Sequence, residues 1–169
     1  MSRREITSLA FDDLAIGDEW ESPRRTVTEA DVVNFAGISG DFNPIHVDHD
    51  SASQGPFRRP IAHGLLGLAI ASGLTSHDPR VDTLAFLGIV EWKFLQPMFF
   101  GDTIRVESRI VALESRARGR RGVVSWHKKI VNQDGETIQE GTTQTLVRAR
   151  PKADEVTPDP ETSQACRND

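Results

Sequence analysis

From Leu84 to the end of the folded region, hydrophobic and polar residues alternate. Val90, Trp92 and Phe94 interleave with Glu91 and Lys93, and Ile104, Val106, Ser108, Ile110 and Ala112 interleave with Arg105, Glu107 and Arg109. A period of two places one set on a buried face of a β-strand and the other toward solvent. Gln96-Pro97 and Gly101-Asp102 break the first junction, the Arg-rich run from Ser115 to Gly122 the second, and Asp134-Gly135 the third. The pattern therefore predicts four strands joined by turns, with a bulge at Gly141 in the last.

Upstream the pattern changes. Leu65 to Leu74 is apolar nearly all round, which predicts a helix buried on most sides. Gly67 and Gly73 each disfavour that helix by up to about 1 kcal/mol relative to alanine, a loss that close approach of a neighbouring backbone would offset. Asp78-Pro79 marks its latest end. Before it, Thr28 is a good N-cap, and Glu29 and Asp31 suit the positive end of a helix. Val32, Val33, Phe35 and Ala36 give this helix an apolar side, and Gly37 or Gly40 ends it. Asp48 to Gln54 reads as a further helical turn, broken by Gly55-Pro56. Phe11 to Gly17 reads as an opening turn, followed by one strand within Glu19 to Val27.

These elements predict an α+β domain over residues 1–150, an antiparallel sheet of about five strands curling around the apolar helix. Residues 151–169 are rich in Pro, Asp, Glu, Ser and Thr and read as a disordered tail. No internal repeat is present.

A net charge of −5 argues against a duplex nucleic-acid binder, which would carry a basic excess. The single cysteine, Cys166, excludes an internal disulfide framework and fits a reducing compartment. Arg3-Arg4 is followed by Glu5 rather than an apolar core, so no secretory signal is read. The longest apolar stretch, Gly64 to Leu74, is too short to span a bilayer. A soluble, cytoplasmic protein is expected.

The chemistry concentrates between Phe35 and Ala52. Asp41 and His46 lie five residues apart with Asn43-Pro44 between them. On a helix that spacing would turn the second side chain about 140° from the first, and Pro44 argues against a helix here in any case. Gly40 and Asn43 favour a tight turn. The segment reads as a bent loop that folds a carboxylate and an imidazole toward one point, the geometry of an acid/base pair acting on one water.

At these residues the chain resembles the MaoC-like dehydratases, and within them the R-specific 2-enoyl-CoA hydratases. Phe35, Ser39-Gly40-Asp41, Asn43-Pro44-Ile45-His46 and Ala52 match the motif without a break, and Pro60-Ile61-Ala62-His63-Gly64 matches a second run. The resemblance implies a hot-dog fold, usually a homodimer or a higher homo-oligomer, and reversible syn addition of water to a trans-2-enoyl-CoA to give an (R)-3-hydroxyacyl-CoA. It makes Asp41 and His46 the catalytic pair and Gly64 the backbone oxyanion donor. It places Ser72 behind Asp41 as a supporting residue.

Gly64 suits that role on its own terms, since the first N–H groups of a helix are unpaired and a missing Cβ admits a thioester. Asn43 reads as structural, and His63 as a buried or hydrogen-bonded histidine. His46, His49 and His63 with Asp48 and Asp50 fit no common zinc spacing, so no metal is expected. No flavin, NAD or molybdopterin signature is present, and no cofactor is expected. The Arg116, Arg118, Arg120 and Arg121 cluster is either a solvated hairpin tip or a site for coenzyme A phosphates. Three alternatives stay open: a thioesterase, a non-catalytic acyl-CoA-binding module, and a dehydratase of branched, dicarboxylic or acyl-carrier-protein thioesters. An anionic acyl group would need a cationic pocket residue, and the sequence reading places none.

Overall fold

The computed structural model describes residues 8–151, so the expected tail and Cys166 lie outside the described residues. After a 3₁₀ turn at Phe11–Asp13 come β1 (Glu19–Glu21), β2 (Arg25–Thr26), α1 (Glu29–Ser39), α2 (Pro44–Val47), α3 (His49–Gln54) and α4 (Gly64–Leu74). Then follow β3 (Thr83–Phe94), β4 (Thr103–Arg116), β5 (Arg121–Val131) and β6 (Thr137–Arg148).

The four alternating segments form β3 to β6, and every pairing between named strands is antiparallel. The sheet has six strands rather than about five, in the order β1-β4-β5-β6-β3, with β2 also on β4. The single N-terminal strand is split by Ser22 and Pro23. Proline offers no N–H to a ladder, while the Ser22 hydroxyl accepts a hydrogen bond from the Val106 N–H of β4 at 2.9 Å.

α4 lies on one face of this sheet. Leu66, Ile70 and Ala71 pack with Ile104 and Val106 of β4, Ile130 of β5 and Ile138 of β6, together with Val27, Val32 and Met98. A second cluster around Ile110, Val124, Trp126 and Val147 closes the other end of the sheet. Close approach to the helix at Gly67 comes from a side chain, not from a backbone. A Cβ there would sit 2.3 Å from Gln139 Nε2. Gln139 is buried but satisfied, donating to the Gly64 carbonyl at 3.1 Å and accepting from Trp92 Nε1 at 3.0 Å.

Gly141 does not mark a bulge. It sits in register opposite Trp92 on one side and Lys128 on the other, and the irregularities in these two pairings fall between Thr83 and Ala85, Phe86 and Gly88, and Ile89 and Glu91 of β3, and at the Ile130–Val131 step of β5. Glycine is needed because a Cβ would lie 2.3 Å from the Glu91 carbonyl oxygen.

α1 begins with the expected cap: the Thr28 hydroxyl accepts from the Asp31 N–H, and Asp31 accepts from the Thr28 N–H. It ends at Gly40, which takes a left-handed φ of 76°. Val32 and Ala36 are buried as expected, but Val33 faces solvent in the single chain. β3 pairs only with β6 among the described residues. It carries exposed Phe86, Leu87, Ile89, Val90 and Phe94 along its length. No helix among the described residues is long and apolar enough to cross a membrane.

Candidate active site

A relay of short-range hydrogen bonds shapes the segment after α1. The Ser39 hydroxyl donates to the Phe35 carbonyl and accepts from the Asp41 N–H. Asp41 Oδ1 accepts from the Asn43 N–H, and Asn43 Oδ1 from the Ile45 N–H. Asn43 is therefore the N-cap of α2, and Pro44 occupies the first helical position, where a missing N–H is no loss. The expected open loop is thus a turn followed by one helical turn. His46 stands on that helical turn and Asp41 on the turn before it.

This arrangement brings Asp41 Oδ2 to 3.9 Å from His46 Nε2. That distance exceeds a direct hydrogen bond and matches two groups sharing one bridging water. His46 Nδ1 lies 2.8 Å from the Ile61 carbonyl oxygen. A carbonyl only accepts, so Nδ1 carries the hydrogen and Nε2 presents its lone pair toward Asp41.

His63, almost fully buried, organises both partners. Its Nε2–H donates to the Asp41 backbone carbonyl at 2.9 Å, and its ring stacks on that of His46 with centroids 3.8 Å apart. Phe35 packs against the same ring at 5.0 Å. The sequence reading gave His63 no part in aligning the pair; its signal is its place beside Gly64 at the mouth of α4.

Asp41, His46 and His63 hold ligand-type atoms within 4.8 Å of one another. The His63 Nε2–H is committed to a backbone carbonyl, however, and in that state has no lone pair for a cation. Only Asp41 and His46 Nε2 remain as ligands, which is a poor set for a transition metal.

Gly64 opens α4, with His63 as its N-cap. Its N–H donates to no backbone carbonyl among the described residues, as expected at a helix start. The Phe94 ring takes the place of a side chain here, since a Cβ would lie 2.7 Å from it. Ser72 stands about 12 Å further along the helix and makes no hydrogen bond to Asp41 within the chain. It lines a cavity instead.

That cavity has a volume of about 500 Å³ and starts at Leu65, next to Gly64. It runs along α4 past Leu68 and Ser72 to Thr75, with Phe86, Trp126 and Thr143 of the sheet opposite. Lys128 reaches into it and donates to Thr75 Oγ1 at 2.7 Å. This is the cationic pocket residue absent from the sequence reading. Burial holds its ammonium down to about 8 from 10.5. The unfolded chain then holds a proton between those values that the folded chain has released, so this group makes stability rise with pH across that window. Lys128→Met should be the more stable protein at pH 7, by up to about 3 kcal/mol. The gap should close toward pH 10.5 in paired urea melts, and a gap independent of pH would contradict this account.

The Arg cluster occupies the β4–β5 hairpin, where Arg116 pairs with Glu114 at 2.9 Å. Along β5 the tip at Arg121 stands about 30 Å from Ile130, whose rung includes Gln139 beside Gly64. Within one chain it does not reach the pair. His49 forms an exposed contact with Glu29 at 3.0 Å.

The sequence profile of the MaoC like domain matches residues 13–133. The chain is 38% identical over 84 residues to an (R)-specific enoyl-CoA hydratase of Aeromonas caviae, covering 50% of this chain and 62% of that protein. It is 31% identical over 135 residues to a 3-hydroxybutyryl-CoA dehydratase of Methylorubrum extorquens, covering 79% of this chain and 85% of that protein. It spans only 29% and 26% of two longer relatives. Among solved structures, a MaoC-like dehydratase from Rhodospirillum rubrum superposes with a TM-score of 0.77 at 30% identity, covering 86% of this chain and all of that one. A Mycobacterium tuberculosis protein described as a double hotdog fold superposes with a TM-score of 0.74 at 20% identity, covering 90% of this chain and 47% of that one. The fold described above is a single hot-dog unit of that kind.

Proposed function

Because the chain belongs to the MaoC like domain family, we propose that it is a hydro-lyase that adds water reversibly to a trans-2-enoyl-CoA, giving an (R)-3-hydroxyacyl-CoA. The observation that carries this reading is the 3.9 Å gap between Asp41 Oδ2 and His46 Nε2, two acceptors spaced to take one water between them, with His63, the residue before Gly64, bonded to the Asp41 carbonyl.

In the proposed reaction the water donates to both acceptors. Its oxygen bonds to the β-carbon as one O–H bond breaks, and the pair returns that proton to the α-carbon on the same face. The Gly64 N–H receives the thioester oxygen as it gains enolate charge. One such donor typically contributes about 3 kcal/mol of transition-state stabilisation. The cavity beginning at Leu65 takes the acyl chain.

The active unit is proposed to be a homodimer formed through β3. That strand offers a long edge unpaired among the described residues, with exposed apolar side chains. Such edges invite pairing, and the exposed apolar side chains along this one support that reading.

The test is hydration of crotonyl-CoA, followed by loss of enoyl absorbance, with free thiol measured in parallel. Absorbance loss without thiol release is expected. Thiol release instead would favour a thioesterase. No reaction with short, long or branched enoyl-CoAs would leave a binding module as the better reading.

A further inference from the structure

One region of the inner sheet face carries buried polar groups without partners. Ser108 on β4 sits opposite Lys128 on β5, and Lys128 sits opposite Gly141 on β6. Thr143 lies two residues beyond Gly141, so the pleat turns it to the same face. Ser108 and Thr143 are 5% and 2% exposed, and neither hydroxyl has a hydrogen-bond partner. Lys128 donates one hydrogen bond, to Thr75, and no carboxylate balances it among the described residues. Lys128, Ser108 and Thr143 all line the cavity, whose remaining walls include Leu65, Leu68, Phe86 and Ile89.

An ammonium carries three donors, and here two are unused beside two unpartnered hydroxyls. A plain alkyl chain entering the cavity would leave all of them without acceptors, which is costly in a dry site. A carboxylate has two oxygens and room for about four donors, and it supplies the missing charge.

We propose that this cavity selects an enoyl thioester whose acyl chain ends in a carboxylate, bound by Lys128, Ser108 and Thr143. The inference rests on the hydratase reading above and deepens it. The depressed basicity of Lys128 agrees with a cation whose counter-charge arrives with a ligand.

The geometry also sets the length of the chain. Gln139 holds the Gly64 carbonyl at the thioester end. Thr143 stands about 13 Å further along β6, and Thr75 about 16 Å from Gly64 along α4. A chain near ten carbons covers such a span, and a four-carbon diacid does not.

The experiment compares wild-type kcat/KM on trans-2-decenoyl-CoA and on the same chain ending in a carboxylate, with crotonyl-CoA as the short reference. The carboxylate-ended substrate should be favoured at least about tenfold. Lys128→Met should lose about 10–100-fold on it relative to the methyl-ended chain, the range for a hydrogen bond to a charged group. Wild-type preference for the methyl-ended chain overturns the inference, as does an equal effect of Lys128→Met on both substrates. If that variant does not fold, the wild-type ratio decides alone. Turnover of crotonyl-CoA with no preference for the carboxylate overturns the inference and leaves the hydratase reading standing. Failure on all three thioesters removes both.

Discussion

Asp41→Asn and His46→Gln are each expected to reduce enoyl-CoA hydration by about 10²–10⁴-fold, the usual contribution of a positioned proton-transfer group. Neither change should unfold the protein. The Asp41 side chain is half exposed, and its one hydrogen bond inside the turn is accepted by Oδ1 from the Asn43 N–H. An asparagine oxygen can accept that bond equally well. A glutamine amide at position 46 can still donate to the Ile61 carbonyl, replacing the Nδ1–H bond. What both variants lose is a basic atom able to take a proton from a water between the two residues. Melting curves recorded beside the kinetics would separate chemistry from folding. Folded variants that keep turnover within about tenfold of the wild type would show that the pair does not move the proton.

Gly141→Ala should give the largest loss of stability, about 3 kcal/mol or more. The new Cβ would meet the Glu91 carbonyl oxygen at 2.3 Å and Trp92 Cε3 at 2.5 Å. A flexible side chain can move aside, but a ladder carbonyl cannot without separating β3 from β6. A fall in melting temperature on the order of 10 °C should follow. A change below about 1 kcal/mol would mean that the strands part at little cost, against the usual penalty for overpacking. Gly67→Ala also collides, but with the end of the Gln139 side chain, so its effect should be smaller.

The contrast between these glycines shows which parts of the fold can be read from sequence. Strands β3 to β6 are local patterns of alternation, and the Thr28 cap and Gly40 stop of α1 are local chemistry. All are readable from neighbouring residues. Whether Gly141 marks a bulge or a close contact depends on Glu91, fifty positions away. Pro44 poses the same difficulty at shorter range, because spacing does not show whether a proline opens a helix or breaks one; the Asn43 cap decides it.

In the site, the motif put Asp41, His46 and Gly64 near one another, while the orienting roles of Ile61 and His63 arise only from packing. Lys128 was readable in principle. Val124, Trp126, Lys128 and Ile130 share one phase of β5, and Trp126 and Ile130 are buried. A lysine in an inward phase signals a polar pocket.

The lone pair of His46 is set by the Ile61 carbonyl, and Ile61 belongs to no long strand. It is tied by an isolated bridge to Phe99 and by its N–H to the Ile45 carbonyl at 3.1 Å. Segments held by so few bonds open more readily than the sheet they lean on. On warming, the imidazole would lose its fixed tautomer while β4, β5 and β6 remained paired. Heat inactivation would then precede melting, and cooling from that interval would restore activity without refolding of the domain.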